Sequence, residues 1–272
     1  MTAAATPLLT GSRSAIAPIS FSRVLAYEFR KSVSTRVSRW TLAVTTVVTV
    51  TLAVFLYLYF SQTKFDTTPQ LTWTQLAGYY DDNAFPLSIA NVSAILLGPF
   101  LILLTASEWT NRSIITTFTL VPRRGRVLSA QLIVALTYIA AFWALHLGLG
   151  ALVAGLLSPS QNVDINWSVT LWDVVGLLVG NLGYPMLALA MGIAIMSVPA
   201  AIVAWVMLEV LMNVFLTISE AGQWSHLIAA LRTAATDPNT ATNWAHVATS
   251  AVLWLGIPAA IGIWRTLHRE AS

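Results

Sequence analysis

The chain has 272 residues, of which 57% are apolar and 9% charged; its net charge is +3 and it has no cysteine. A soluble domain carries about 25% charged residues, so this composition excludes an ordinary soluble enzyme and places the chain in the membrane class. The missing cysteine excludes disulfides, thiolate nucleophiles and cysteine metal sites.

Residues 1–20 form a tail without the basic start and apolar core of a removable signal peptide, so the first span is expected to be retained. Residues 21–39 follow. Phe21, Leu25, Phe29, Val33 and Val37 recur every fourth residue with Val24 beside them, while Arg23, Arg30, Lys31 and Arg36 leave that stripe. The pattern predicts an amphipathic helix lying in the plane of the membrane surface.

Six apolar stretches long enough to cross a bilayer come next, at about 40–60, 85–107, 128–157, 169–196, 200–218 and 244–264. They leave no room for a separate folded domain, and the fold class is an all-α polytopic membrane protein. Twelve Lys and Arg residues fall in the N-terminal tail, the connection after the second span and the tail 265–272, against Lys64 and Arg232 on the other side. The positive-inside rule therefore predicts both termini in the cytoplasm. Trp40, Trp109 and Trp264 would sit at the inner interface, and Trp73, Trp167, Trp172, Trp224 and Trp244 at or beyond the outer one.

The connection SEWTNRSIITTFTLVPRRGRVLSAQ, Ser107 to Gln131, is too long for a tight turn between antiparallel helices. Pro122 stops any helix there, Arg123, Arg124 and Arg126 flank Gly125, and the third span is expected to start at Val127 or Leu128. Within the fourth span, Gly176 and Gly180 form a GxxxG pair extended by Gly183, and Ala188 with Gly192 repeats the spacing, which permits close helix approach. Gly98 with Pro99, Pro185 and Pro258 mark expected kinks.

Ionisable groups within spans are costly and draw attention. Glu209 lies near the centre of the fifth span with Asn213 one turn on, His146 is deep in the third, and Asp173 is near the outer end of the fourth. Glu209, Asn213 and His146 could line a path or gate, or be satisfied inside the bundle, for instance by pairing Glu209 with His146 or Asn181.

The segment RVLAYEFRKSVSTRVSRW before the first span, together with the Ser107–Gln131 connection, resembles the permease subunits of type 2 ABC exporters. The likeness in layout covers essentially the whole chain. It comprises an elbow helix, six spans, a cytoplasmic connection after span two, a longer external segment before span six and a short basic tail. At residue level it is confined mainly to the two cytoplasmic segments, where Glu108, Trp109, Ile114, Thr116, Leu120, Pro122, Arg123 and Arg124 follow the family pattern. Ser113 stands where that family often has Gly, and Gln131 where it often has Lys.

The resemblance implies that this chain supplies the membrane path, while ATP and Mg are bound by a separate P-loop subunit present in two copies beside a second permease, identical or paralogous. In agreement, no GxxxxGK[ST] run occurs in the chain, and it binds no cofactor, metal or nucleic acid on this reading. By the same resemblance, Trp109 to Val121 would be a coupling helix, with Glu108, Arg123 and Arg124 as polar contacts to the ATPase. Glu28, Arg30 and Lys31 of the elbow would add a second contact. Leu227 and Leu231, in the external segment from Ser219 to Asn243, would cap the outer mouth. The apolar spans favour an amphipathic or hydrophobic cargo such as a drug, peptide or lipid. Usage rich in Ala, Val, Thr and Arg points to a high-GC bacterium and its inner membrane.

Two alternatives compete. A proton-coupled secondary transporter would use Glu209 and His146 as a relay, although no inverted repeat of broken helices is visible. An intramembrane enzyme would need a nucleophile with a base, a carboxylate dyad or metal ligands. Neither HExxH nor GxSxG occurs, and the four histidines are scattered.

Overall fold

The computed structural model describes residues 19–63, 70–78, 89–121, 123–159 and 163–268, with the side chains of 89–91 and of Leu120 also left aside. The chain is 85% helical and all-α, and among the described residues six helical stretches are long and apolar enough to span a membrane. These are Arg36–Gln62, Val92–Thr110, Arg124–Leu157, Leu171–Ile195, Val198–Ile218 and Ala241–His268. Pro122 and the tails 1–18 and 269–272 lie outside the described residues.

Helix α1 (Phe21–Ser32) stops well short of residue 39. Ser34 and Thr35 interrupt it, because short hydroxyl side chains compete for backbone groups and favour caps over helix interiors. Thr35 Oγ1 accepts from the Ser38 amide at 3.1 Å and so starts α2 (Arg36–Gln62). Arg36 and Arg39 therefore belong to α2, the helix of the first apolar stretch, rather than to α1.

A short strand, β1 (Gln70–Thr72), leads into α3 (Trp73–Ala77), which opens with a capping box between Thr72 and Gln75. Helix α4 (Ile89–Thr110) contains Pro99. Arg112, in the left-handed region at φ 58, turns the chain into α5 (Ile114–Leu120). Helix α6 (Arg124–Leu157) then begins at Arg124, three residues before the earliest start expected from sequence, with Gly125 inside its first turn. At 34 residues it is about 50 Å long and exceeds the bilayer core, so its ends project.

Strand β2 (Asp164–Asn166) pairs in parallel with β1, Leu71 opposite Ile165. The fourth span is two helices, α7 (Leu171–Asn181) and α8 (Gly183–Ile195), broken at Leu182. The break follows from Pro185, which has no N–H to offer the Asn181 carbonyl. Asp173 is the partner of Thr170 in the capping box that starts α7.

Helix α9 (Val198–Ile218) is followed by α10 (Ala221–Ser225), α11 (Leu227–Thr236), α12 (Ala241–Ala251), a π turn at Val252–Gly256 and α13 (Ile257–His268). Pro258 leaves the Trp254 carbonyl without its helical donor, which accounts for the irregular turn ahead of it.

The helix ends alternate as six crossings require. At one end the Val198 amide donates to Thr110 Oγ1 at 2.9 Å, Arg265 to the Ala194 carbonyl at 2.6 Å, Arg124 to that of Thr266 at 3.2 Å and Arg126 to that of Ile19 at 3.3 Å. At the other, Trp172 donates to the Ala235 carbonyl at 2.9 Å and Trp254 to that of Ser225 at 2.6 Å. Helices α4 and α8 form the centre, where Phe100, Leu101, Ile102 and Leu187 are almost fully buried. Gly192 permits that approach, since a Cβ there would run into Thr105. By contrast α9 and the last span bury only 17% and 11% of their most apolar windows and present long apolar sides outward.

Candidate functional site

The most elaborate polar assembly lies at the α5 end, where α1, α4, α5 and α6 meet. Val24, Glu28 and Ser32 fall at intervals of four on α1 and share its inward face. Ser32 Oγ donates to the Phe29 carbonyl at 2.7 Å and hydrogen-bonds the Tyr138 hydroxyl of α6 at 2.9 Å, which fixes α1 to the bundle.

Lys31 pairs with Glu28 on its own helix and with Glu108 at the end of α4, 3.3 Å away. The Glu108 carboxylate also accepts from the Thr117 hydroxyl of α5 at 2.9 Å and from the Gln131 amide of α6 at 3.5 Å. Four helices are thus joined through one carboxylate. Both acids are interior groups, Glu28 fully buried and Glu108 4% exposed. Burial pushes the Glu28 carboxyl above its ordinary range and the Glu108 charge adds to that, while Lys31 and Gln131 act in the opposite direction.

The expected contacts therefore divide into two groups. Glu28 and Glu108 cannot meet a partner protein, because the chain's own helices cover them. Lys31 is largely enclosed with them. Ile114 is buried, and Trp109 packs edge-on against Phe118 with ring centroids 5.9 Å apart. The Arg124 guanidinium lies 4.8 Å from the Phe118 ring and holds the end of α13. What faces outward is Arg30, Ser113, Ile115, Thr116, Thr119 and Arg123. Leu120 and Pro122 fall outside the described side chains and residues.

The groups expected to form a path or gate are not gathered in one place. His146 of α6 hydrogen-bonds Ser93 of α4 and lines a cavity of about 30 Å³, room for about one water, beside Asn181. Glu209 accepts from the Tyr184 hydroxyl and from the Asn213 amide, both at 3.1 Å. The pairing of Glu209 with His146 or Asn181 is absent. The Asn181 amide donates instead to the Leu177 carbonyl at 2.9 Å.

Arg232 was counted in the sequence only as an outward charge, yet its guanidinium lies 5.8 Å from the Tyr184 ring and links α11 to the Glu209 neighbourhood. Leu227 and Leu231 are both buried as α11 packs against α7 and α12. The α7–α8 glycines serve that contact: a Cβ at Gly183 would meet Ile228, and one at Gly180 would touch Ala235. His226 Nδ1 accepts from the Ala229 amide at 3.1 Å and caps α11. Burial lowers its pKa.

Lys31 as a bridge between helices could not be read from the chain, because only its partner Glu28 is local. The spacing of three between Glu28 and Lys31 was the available signal. Among the described residues no group of three metal-ligating side chains occurs. No family model, curated protein or solved structure matches this chain.

Proposed function

We propose that this chain is the permease subunit of an ATP-driven exporter of the type 2 ABC layout, with both termini and α5 on the cytoplasmic side of a bacterial inner membrane. The observation that carries the reading is the setting of α5. Its inner face is fastened through Thr117 and Glu108 to Lys31 of α1, while Ile115, Thr116 and Thr119 remain exposed. A force applied to that outer face by a P-loop ATPase would pass to α4 and α6 and to the elbow helix together, and would shift the bundle between two states.

Two ATPase copies carrying ATP and Mg, and a second permease, would complete the complex. The cargo would be amphipathic or hydrophobic. Coupling then belongs to the exposed Ile115, Thr116, Thr119 and Arg123, whereas Glu28, Lys31 and Glu108 hold those residues in place from within.

The test is purification of the tagged chain from its native membrane in mild detergent, with associated proteins identified and counted. A stoichiometric P-loop ATPase, lost in an Ile115→Asp, Arg123→Glu double variant that still folds, is the expected result. A chain that transports alone, with no ATPase bound, would overturn the proposal in favour of a secondary transporter.

A further inference from the structure

Between α1, α5 and the first turn of α6 lies a cavity of about 430 Å³ that the coupling reading does not use. This volume is within the range of small-molecule sites, about 300 to 1,000 Å³. Its wall is mainly apolar, with Ile19, Val24, Val121 and Val127 on it, and the hydroxyls of Ser113 and Thr116 add donors.

The charges around the cavity are sorted by depth. The Glu28 carboxylate has no accessible surface there, and Lys31 takes up both it and Glu108 from within. Two guanidinium groups remain. Arg23 lines the cavity, and its side chain makes no hydrogen bond or ion pair with any described residue. Arg126 donates to the carbonyl of Ile19 at 3.3 Å, which brings a second guanidinium to that wall. Counted with Lys31, three cations stand against two acids, and the acids are the enclosed ones.

The outward side of α1 mixes aromatic and basic groups, with Phe21 and Tyr27 exposed beside Arg23 and Arg30. A helix of that kind lies along the membrane surface, where each Lys or Arg draws anionic headgroups by about 1 kcal/mol. The cavity beneath such a helix is within reach of lipid.

We infer that this cavity holds one acyl chain of an anionic phospholipid, the chain along Val24, Val121 and Val127 and the phosphate against Arg23 and Arg126. Guanidinium groups bind phosphate oxygens through paired N–H donors. A zwitterionic head brings its own cation to the two arginines, and an amine meets only like charge there. At about 30 Å³ each, about fourteen chain atoms fill the cavity, so one chain enters while the second stays in the bilayer.

The test uses the full chain in phosphatidylcholine nanodiscs and titrates dioctanoylphosphatidylglycerol by calorimetry, with empty nanodiscs subtracted. One saturable site per chain is expected, weakened at least tenfold by Arg23→Glu and lost in Ser113→Trp, which fills the cavity without changing charge. Arg36→Glu reverses a charge away from the cavity and should change the affinity by less than twofold. Arg23, Arg36 and Ser113 are all exposed, so the three variants should fold.

Equal binding of dioctanoylphosphatidylcholine, or unchanged binding of the anionic lipid in Arg23→Glu or Ser113→Trp, would overturn the site. So would a loss in Arg36→Glu as large as that in Arg23→Glu, because attraction to the basic surface as a whole would then suffice. The chain is tested without an ATPase, so failure here leaves the coupling proposal standing.

Discussion

Two short helices lie between spans at opposite ends of the bundle, and they are held by different physics. Helix α11 is sequestered: six of its ten residues are buried, its apolar side meets α7 and α12, and glycines on the neighbouring helices admit it closely. Helix α5 has only part of its inner side buried and is tied by one hydrogen bond, from Thr117 to the Glu108 carboxylate of α4, which Lys31 and Gln131 in turn hold in place. An apolar contact is non-directional and resists by bulk. An ion pair with defined donors fixes orientation and leaves the opposite face free. The contrast teaches that α11 is held by packing, while α5 is held by directed polar contacts that leave its outer face exposed.

The largest effect expected from breaking that contrast is at the α5 end. Lys31→Met would leave two carboxylates buried against each other, and removing one partner of a buried ion pair costs about 3 to 5 kcal/mol. Thermal unfolding in detergent should show that loss, and Glu28→Gln with Glu108→Gln should restore most of it when added to Lys31→Met. A triple variant no more stable than the single one would mean that Lys31 acts through packing of its stem and not through charge.

Next in size is overpacking at the α11 end. Gly183→Leu places side-chain atoms where Ile228 already stands, its Cγ1 2.6 Å from the nearest added carbon. Such insertions cost about 1 to 3 kcal/mol, and a shortened Ile228→Ala partner should recover part of it. A Gly183→Leu chain as stable as the parent would show that α11 is not packed there.

Acid should then separate the two ends. Burial lowers the pKa of His226 from the ordinary 6.5, so below pH 6.5 the unfolded chain takes up the proton more readily than the folded one. Stability from this group is fully present above pH 6.5 and is lost as pH falls toward the folded value, because a protonated Nδ1 can no longer accept from Ala229. Loss of a helix cap is worth about 1 kcal/mol. Glu28 has the opposite sign. With its pKa raised above 4.5, its contribution is present below pH 4.5 and is lost as pH rises through the folded value. Unfolding midpoints measured across pH should lose the decline on acidification below pH 6.5 in His226→Asn and the decline on raising pH above 4.5 in Glu28→Gln.

The legibility of the chain follows the range of the interactions. Six spans, the kinks at Pro185 and Pro258 and the close approach of Gly183 are written in local composition and spacing, and the structure has them. The pairing of β1 with β2, the bond from Ser93 to His146 and the reach of Arg232 to Tyr184 join residues far apart in sequence, with no periodicity to announce them. The elbow boundary misled for a different reason. Val33 and Val37 continue the apolar stripe of α1, but the hydroxyls at Ser34 and Thr35 favour a cap, and that local chemistry prevails.

The smallest effect on stability should come from the outer face of α5, and that is where the comparison becomes sharpest. Ile115 is 39% exposed and its removal uncovers little of the core, so Ile115→Ala should change the unfolding midpoint by less than about 0.5 kcal/mol equivalent, as for other surface substitutions. Under the coupling proposal the same variant should retain less of the ATPase on purification, and Ile115→Asp less still. Leu231→Ala on α11 should do the reverse, lowering stability by about 2 kcal/mol or more as a buried leucine does, with the fraction of folded chain that carries the ATPase unchanged. If both variants shift stability and partner retention together, α5 is merely another packed helix and the difference between the two ends has no functional content.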